Sequence, residues 1–221
     1  WFIDFEFPNE NGEPYKSSGG KFTESELGPI PSDWNIGKLK DISDIIMGQS
    51  PSSKTYNTEG KGLGLINGAS DFSDGKIHPT KYTTDPKKIS QKGDFVFGVR
   101  ATVGNVTHID KEYALGRGVA VARPLQPFLK EFLYFQLIKV IDYLEKTSTG
   151  SVYINITKSD LENFPIIIPS KRVLKNYHKL VNPFFNKVIN NHLENEKLLL
   201  MRDNLLPKLM SGEIRVPIES E

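Results

Sequence analysis

Two arginines lie beside glycines at the ends of predicted strands, where a short loop can project a side chain from a rigid scaffold. Arg100 follows an apolar run, and Arg117 stands between Gly116 and Gly118. A planar guanidinium can donate two hydrogen bonds to one guanine edge, so both arginines are candidates for reading bases in double-stranded DNA. An ion pair on the protein surface is the equally open alternative for each of them.

Other polar side chains in predicted loops carry the donors and acceptors needed to bind base edges or phosphates. These candidates are Gln49, Ser50, Ser52, Thr149, Ser151, Tyr153 and Asn155. Lysine ammonium groups are point charges that suit phosphate contacts, although a solvated lysine is the ordinary alternative. The candidates for phosphate contacts are Lys54, Lys81, Lys87, Lys88 and Lys158.

Residues that could carry out catalysis do not form a complete set in the sequence. The NPFF run at residues 182–185 is only partly like the Asn-Pro-Pro-aromatic loop of amino-methyltransferases, and no glycine-rich cofactor turn precedes it. The glycines at residues 60–64 lack the flanking strand and helix that a dinucleotide loop requires. None of the four histidines has a partner at metal-binding spacing. We therefore expect a non-catalytic chain that itself binds no cofactor and no metal ion.

Short apolar runs separated by turn signals predict the scaffold that must position the polar side chains. The best strands are residues 42–47, 62–66, 94–99, 119–122 and 165–168. The third of these runs is apolar on both faces, which indicates a central strand that is covered on both sides.

One helix and one short helical turn are predicted within the same region. Pro127 suits a first helical position, and a wide apolar face follows it as far as Leu144. Thr157 and Asp160 are spaced as a capping box and predict a short helical turn. Strands and helices together predict a mixed α+β fold.

A long helical stripe covers residues 172–210, and its seam mostly alternates steps of three and four residues, as a coiled coil requires. The seam positions are Val173, Tyr177, Leu180, Phe184, Val188, Asn191, Asn195, Leu198, Arg202, Leu205 and Leu209. One irregular step follows Pro183, where we expect a bend or an interruption. Asn191 and Asn195 either fix the register of a partner helix or lie at the surface. A surface helix packed on its own domain is the alternative.

Length and composition set the domain organisation. The 221 residues are 38% hydrophobic, which suffices for one sizeable core and an accessory element. We predict a leader and linker at residues 1–34, a globular domain at 35–170, the long helix at 171–212 and a tail at 213–221. Because the sequence begins with tryptophan, we expect a segment of a longer product.

The net charge of +1 gives little support for nucleic-acid binding by itself. Residues 1–34 hold two basic and seven acidic side chains, residues 35–170 hold 17 and 14, and residues 171–221 hold nine and six. The absence of cysteine excludes disulfides and thiolate metal sites and fits a reducing compartment. With no secretory leader and no apolar span of membrane length, we expect a cytoplasmic protein without a membrane partner.

Several phrases, taken in their order, resemble the specificity subunits of type I restriction-modification enzymes. The phrases are WFIDFEFP at residues 1–8, ELGPIPSDW at 26–34, GQSPS at 48–52, GDFVFGVRATVG at 93–104, GSVYINI at 150–156, FPIIIP at 164–169 and RDNLLPKLMSGEI at 202–214. The resemblance covers nearly the entire chain. A full specificity subunit of that family carries two target-recognition domains, and this chain carries one.

The resemblance implies that the chain reads one half of a split site in double-stranded DNA and docks methyltransferase (modification) subunits through its helix. A restriction subunit would complete the complex, and S-adenosylmethionine, Mg²⁺ and ATP would be used by the partner subunits. The helix would pair within a homodimer or with a second recognition half of a longer polypeptide. A coiled-coil protein-interaction module without DNA readout, or the recognition portion of a fused restriction and methylation enzyme, are the alternatives.

Overall fold

Two four-stranded sheets contribute to one shared apolar core. The structure is a computed structural model that describes residues 1–73, 75–100, 103–147 and 155–215, without the side chains of residues 69 and 73. The strands are β1 (Phe22–Thr23), β2 (Ile30–Pro31), β3 (Asn35–Lys38), β4 (Ser43–Met47), β5 (Tyr56–Asn57), β6 (Leu63–Ile66), β7 (Phe72–Ser73), β8 (Lys76–Ile77), β9 (Lys81–Thr83), β10 (Phe95–Gly98), β11 (Gly104–His108), β12 (Ala114–Leu115), β13 (Val119–Pro124) and β14 (Pro165–Ile168). The helices are α1 (Lys130–Thr147), α2 (Lys158–Glu162) and α3 (Lys171–Met210).

The first sheet has the strand order β11-β10-β13-β4, and its neighbouring strands are antiparallel. Every residue of β10 is buried, which confirms the prediction of a covered central strand. The other four predicted strands are also present as β4, β6, β13 and β14, with ends that differ by at most two residues. Apolar runs bounded by turn residues were therefore sufficient to locate the strands that carry most of the core.

The second sheet has the strand order β12-β6-β9-β5. β12 is parallel to β6, whereas the remaining pairs are antiparallel. Ile66 and Leu115 from this sheet share a buried cluster with Val96 and Val121 from the first sheet. The two sheets are thus joined through the apolar side chains of their facing residues.

Helix α1 packs against the first sheet, where the ring centroid of Tyr134 lies 5.4 Å from that of Phe95. Because neighbouring side chains on a strand point to opposite faces, Phe95 and Val96 project to different sides of the sheet. Pro127 opens a short 3₁₀ turn that leads into α1, and Thr157 and Asp160 form the predicted capping box of α2. The α+β fold class is confirmed.

The N-terminal segment packs onto the remainder of the first unit through aromatic side chains. Phe7 is fully buried, and its ring centroid lies 4.6 Å from that of Tyr15 and 5.0 Å from that of Trp34. Ile30 and Val173 complete this cluster. Composition predicted a leader and linker before residue 35, whereas the segment supplies buried side chains because its aromatic residues find partners in later elements.

Helix α3 runs without a break from Lys171 to Met210, although Pro183 and Pro207 lie inside it. The prediction of an interruption at Pro183 is therefore wrong, and the alternative of a bend stays a prediction. The carbonyl of Lys179 loses its helical donor, but both residues are exposed, so solvent can satisfy that carbonyl. None of the helices in the described part of the chain combines the length and apolarity that crossing a membrane requires.

The chain divides into two compact units, Trp1–Val181 and Asn182–Glu221. The beginning of α3 belongs to the first unit, where His178 Nδ1 lies 2.5 Å from a carboxylate oxygen of Glu131 on α1. Glu131 is fully buried, and a buried carboxylate without a partner would strongly destabilise the fold. This contact therefore ties the start of α3 to α1 within the first unit.

We predict that Phe7→Ala lowers the free energy of unfolding of the first unit by about 3 to 5 kcal/mol, because the substitution leaves a cavity among packed rings. Urea unfolding followed by tryptophan fluorescence measures the change, since Trp34 lies in the same cluster.

The matched control is Ile3→Ala, because Ile3 belongs to the same segment and its side chain is 71% exposed. We expect this control to change the unfolding midpoint little. Equal midpoints for the two variants would contradict a structural role of the N-terminal segment.

Candidate nucleic-acid interface

A three-residue turn joins the two four-stranded sheets. β12 ends at Leu115 in the second sheet and β13 begins at Val119 in the first, so the chain crosses between them over residues 116–118. The shortness of this crossing holds the ends of both strands close together. It also places the turn at one defined end of the first sheet.

The two strands that flank β13 in the first sheet, β4 and β10, both end beside the beginning of β13. Met47, the last residue of β4, pairs with Ala120, and Gly98, the last residue of β10, pairs with Val119. Since both pairings are antiparallel, the loops that follow β4 and β10 emerge next to the beginning of β13. The sheet register therefore brings two predicted candidate loops to the turn.

The turn lies directly against the loop that follows β6. The N–H of Gly116 donates to the carbonyl oxygen of Ile66 at 2.7 Å. A Cβ on Gly116 would lie 2.2 Å from Asn67 Oδ1, and a Cβ on Gly118 would lie 2.2 Å from the Asn67 carbonyl oxygen. Only glycine fits these two positions without a shift, and the side chain that the turn exposes is that of Arg117.

The loop after β4 is hydrogen-bonded to the same turn. The N–H of Gln49 donates to the carbonyl oxygen of Leu115 at 2.9 Å, and the N–H of Arg117 donates to Ser50 Oγ at 3.3 Å. The side chain of Gln49 is exposed and Ser50 is partly exposed. Ser52 is also exposed, two residues further along the loop.

The loop after β10 reaches the turn from the other side. The N–H of Val99 donates to the carbonyl oxygen of Gly118 at 3.0 Å. The next residue, Arg100, forms an antiparallel bridge with Asn155, and both residues are exposed. Two candidates that are far apart in sequence therefore lie side by side next to the turn.

Polar residues from four segments thus surround the turn, which itself contributes Arg117. We call Gln49, Ser50, Asn67, Arg100, Arg117 and Asn155 the loop cluster. Asn67 was missed from the sequence, although an Asn-Gly pair directly after the strand at 62–66 was a usable signal. The candidates Thr149, Ser151 and Tyr153 lie outside the residues that the structure describes.

The arginines of the chain differ in their partners. Arg123 is held by Asp94 through two hydrogen bonds of 2.8 and 2.9 Å, and this bonding raises the pKa of the Arg123 guanidinium. Among the described residues, no acidic side chain forms an ion pair with Arg100 or Arg117. The guanidinium donors of these two arginines are therefore available for a ligand.

The five lysine candidates are all exposed. The Nζ atom of Lys87 lies 2.7 Å from Asp85 Oδ2, and that of Lys158 lies 3.3 Å from Glu162 Oε1. Exposed pairs of this kind contribute little to stability and can open when a phosphate competes. No salt bridge to a described acidic residue involves Lys54, Lys81 or Lys88.

Among the described residues, no group of three or more His, Cys, Asp or Glu side chains is arranged to hold a metal ion. Burial lowers the pKa of His108 to about 4, and the positive charge of Lys130 adds to this effect. The imidazole of His108 is therefore neutral near pH 7. It contributes no positive charge to the surface of the protein.

A family model described as the type I restriction modification DNA specificity domain matches residues 31–199. The chain belongs to this family. This specificity-domain chain is 32% identical over 198 residues to a Methanocaldococcus jannaschii protein assigned as the MjaX specificity subunit of a type I restriction enzyme, covering 88% of the chain and 47% of that protein. It is 29% identical over 231 residues to the type I restriction enzyme MjaIX specificity subunit of the same organism. That match covers 98% of this chain and 51% of that protein.

The fold of the specificity-domain chain is also similar to solved structures. The crystal structure of the HsdS subunit from Thermoanaerobacter tengcongensis matches with a TM-score of 0.58 and 31% identity, over 87% of this chain and 48% of that one. The family resemblance stated from the sequence is confirmed. The chain spans about half the length of the curated relatives that it matches.

Proposed function

We propose that this chain recognises one half of a bipartite site in double-stranded DNA, and that the loop cluster is the surface that reads the bases. The observation that carries the proposal is the convergence of exposed arginines and amides around one turn, in a chain of the type I specificity family. Within the described residues, neither arginine is occupied by an ion pair. Their donors are therefore free to meet a base edge.

The chemistry of the loop cluster fits the major groove of DNA. A guanidinium matches the two acceptors of guanine, and a side-chain amide matches the donor and acceptor of adenine. The hydrogen bonds between the loops and the turn limit how far each side chain can move, which favours base contacts of defined geometry. The net charge of +1 indicates that affinity relies on such contacts rather than on a large basic surface.

Phosphate contacts are assigned in this proposal to the lysines around the first unit. Lys54 follows the loop after β4, and Lys158 opens α2 shortly after Asn155. Lys81, Lys87 and Lys88 lie on β9 and the segment after it. Such contacts position the protein on the duplex but carry no sequence information.

Helix α3 is proposed to pair with an equivalent helix, in a second copy of this chain or in a longer polypeptide. Val173 is buried and Tyr177 is partly buried within the first unit, so the available seam begins at Leu180. The seam residues exposed beyond that point are Leu180, Phe184, Val188, Asn191, Asn195, Leu198, Arg202, Leu205 and Leu209. A partner helix would remove this apolar surface from water.

The assembled enzyme is proposed to contain methyltransferase subunits docked on the helical part, together with a restriction subunit. S-adenosylmethionine, Mg²⁺ and ATP would be bound and used by those subunits, while this chain supplies recognition only. The relatives that this chain matches are specificity subunits of about twice its length. Pairing of two recognition halves is therefore the arrangement we propose.

We predict that Arg100→Ala or Arg117→Ala in the assembled enzyme weakens binding to the cognate site by about 1 to 3 kcal/mol and changes binding to random DNA little. Lys54→Ala or Lys158→Ala should weaken both and lower the salt slope by about one. Fluorescence anisotropy across a salt titration measures both quantities.

Arg172→Ala is the control for these arginine variants, since Arg172 is exposed but lies outside the loop cluster. Its discrimination between cognate and random DNA should equal that of the wild type. If Arg100→Ala and Arg117→Ala reduce binding to both duplexes equally, these arginines contact phosphates and do not read bases.

We predict that the double substitution Leu198→Asp and Leu205→Asp abolishes pairing of α3, because it would bury two carboxylates in an apolar seam. Analytical ultracentrifugation should show a lower mass than for the wild type, with an unchanged unfolding midpoint of the first unit. The control is Lys197→Asp with Asn204→Asp, which places the same side chains one residue away from the seam. If the wild type is dimeric and the seam variant keeps the dimeric mass, this seam is ruled out.

We predict that the purified chain neither methylates nor cleaves DNA in the presence of S-adenosylmethionine, Mg²⁺ and ATP. Addition of the cognate methyltransferase subunit should produce methylation at one bipartite sequence, detected by single-base methylation mapping. Methyl transfer by the chain alone would show that it is an enzyme and overturn the assignment of catalysis to its partners.

A further inference from the structure

Asn67 occupies the centre of the loop cluster but differs from the predicted candidates in how its atoms are used. Its N–H donates to Asp71 Oδ2 at 2.8 Å, and the N–H of Gly68 donates to the same oxygen at 3.2 Å. Its carbonyl oxygen lies against Gly118. The backbone of Asn67 therefore fixes the loop after β6 against the turn.

The side chain of Asn67 has no comparable structural task. The residue is exposed, and its side-chain amide makes no hydrogen bond to any residue that the structure describes. Its Oδ1 lies beside Gly116, the residue before Arg117. A side-chain donor and acceptor thus lie next to the backbone of the residue that precedes the exposed Arg117.

Two other loop asparagines in the same protein, Asn57 and Asn163, use their amides to stabilise their own loops. The Nδ2 of Asn57 donates to the carbonyl oxygen of Lys61 at 2.9 Å, and the Nδ2 of Asn163 donates to that of Ser159 at 3.1 Å. These bonds are the usual reason for an asparagine in a turn. Asn67 lacks such a bond within the described residues, so loop stabilisation by the side chain does not account for this amide.

We propose that Asn67 is a further specificity-determining residue, whose side-chain amide contacts a base edge next to the one contacted by Arg117. This inference rests on the proposed function of the loop cluster. A carboxamide offers one donor and one acceptor in a plane, which matches the N6 and N7 groups of adenine. The base read by Asn67 is therefore an adenine adjacent to the base read by Arg117.

The close packing at Gly118 couples the two contacts. A Cβ at that position would meet the Asn67 carbonyl oxygen at 2.2 Å, so Gly118→Ala must push the turn and the loop after β6 apart. The Arg117 and Asn67 contacts should then weaken together in this one variant. If the turn and the loop after β6 moved independently, Gly118→Ala would weaken only one of the two contacts.

The test uses the enzyme assembled with its methyltransferase subunit and a duplex that carries the site found by methylation mapping, together with every single-base variant of that site. We expect Asn67→Ala to weaken cognate binding by about 5- to 150-fold and to remove discrimination at one adenine position only. Asn67→Asp keeps the size of the side chain but replaces the donor by an acceptor, so its preference at that position should move toward cytosine.

Asn35→Ala is the matched control, since Asn35 is an exposed asparagine of β3 outside the loop cluster. It should leave discrimination at every position unchanged. The unfolding midpoint is measured for all variants, and an Asn67 variant with wild-type stability and altered discrimination cannot be explained by misfolding.

The outcomes separate this inference from the proposed function. If the wild-type complex discriminates its site but both Asn67 variants keep the wild-type profile, or lose binding equally at every position, the role of Asn67 is refuted and the loop cluster stands. If the wild-type complex does not discriminate its site from random DNA, both proposals are refuted.

Discussion

The contact between the turn at residues 116–118 and the backbone of Asn67 is the constraint on which the candidate interface depends. Since neither Gly116 nor Gly118 has a Cβ, the turn that leads from the second sheet to the first approaches the loop after β6 within hydrogen-bonding distance. The crossing between the sheets can therefore be short. A longer crossing would no longer hold the beginning of β13 against the loop after β6, so Arg117 and Asn67 would lie on separate loops.

Apolar periodicity predicted most of the scaffold, because the buried faces of core strands and of an amphipathic helix carry apolar residues at characteristic spacings. The candidate site was predictable only in part. Glycines beside Arg117 pointed to a projecting side chain, but the meeting of Arg100 with Asn155 depends on sheet register between distant segments. Asn67 escaped notice because an Asn-Gly pair is also the ordinary signal of a turn.

The seam of α3 shows where a residue pattern stops being informative. Val173 and Leu198 occupy equivalent positions in the apolar stripe, yet Val173 is buried by the first unit and Leu198 is exposed. The difference arises from the N-terminal aromatic residues, which cover the start of the helix. A pattern of apolar residues reports that a surface avoids water, but it does not identify what covers that surface.

The hydrogen bonds that hold the loops together run largely between main-chain atoms. The backbone N–H of Gln49 donates to the carbonyl oxygen of Leu115, and that of Val99 donates to the carbonyl oxygen of Gly118. Such bonds persist whichever side chain the donor residue carries, so Gln49 can be exchanged without loss of the framework. Under the proposed function, point substitutions at exposed positions would change the DNA preference on a constant fold, and natural diversification or directed evolution of this chain would need no remodelling of its sheets.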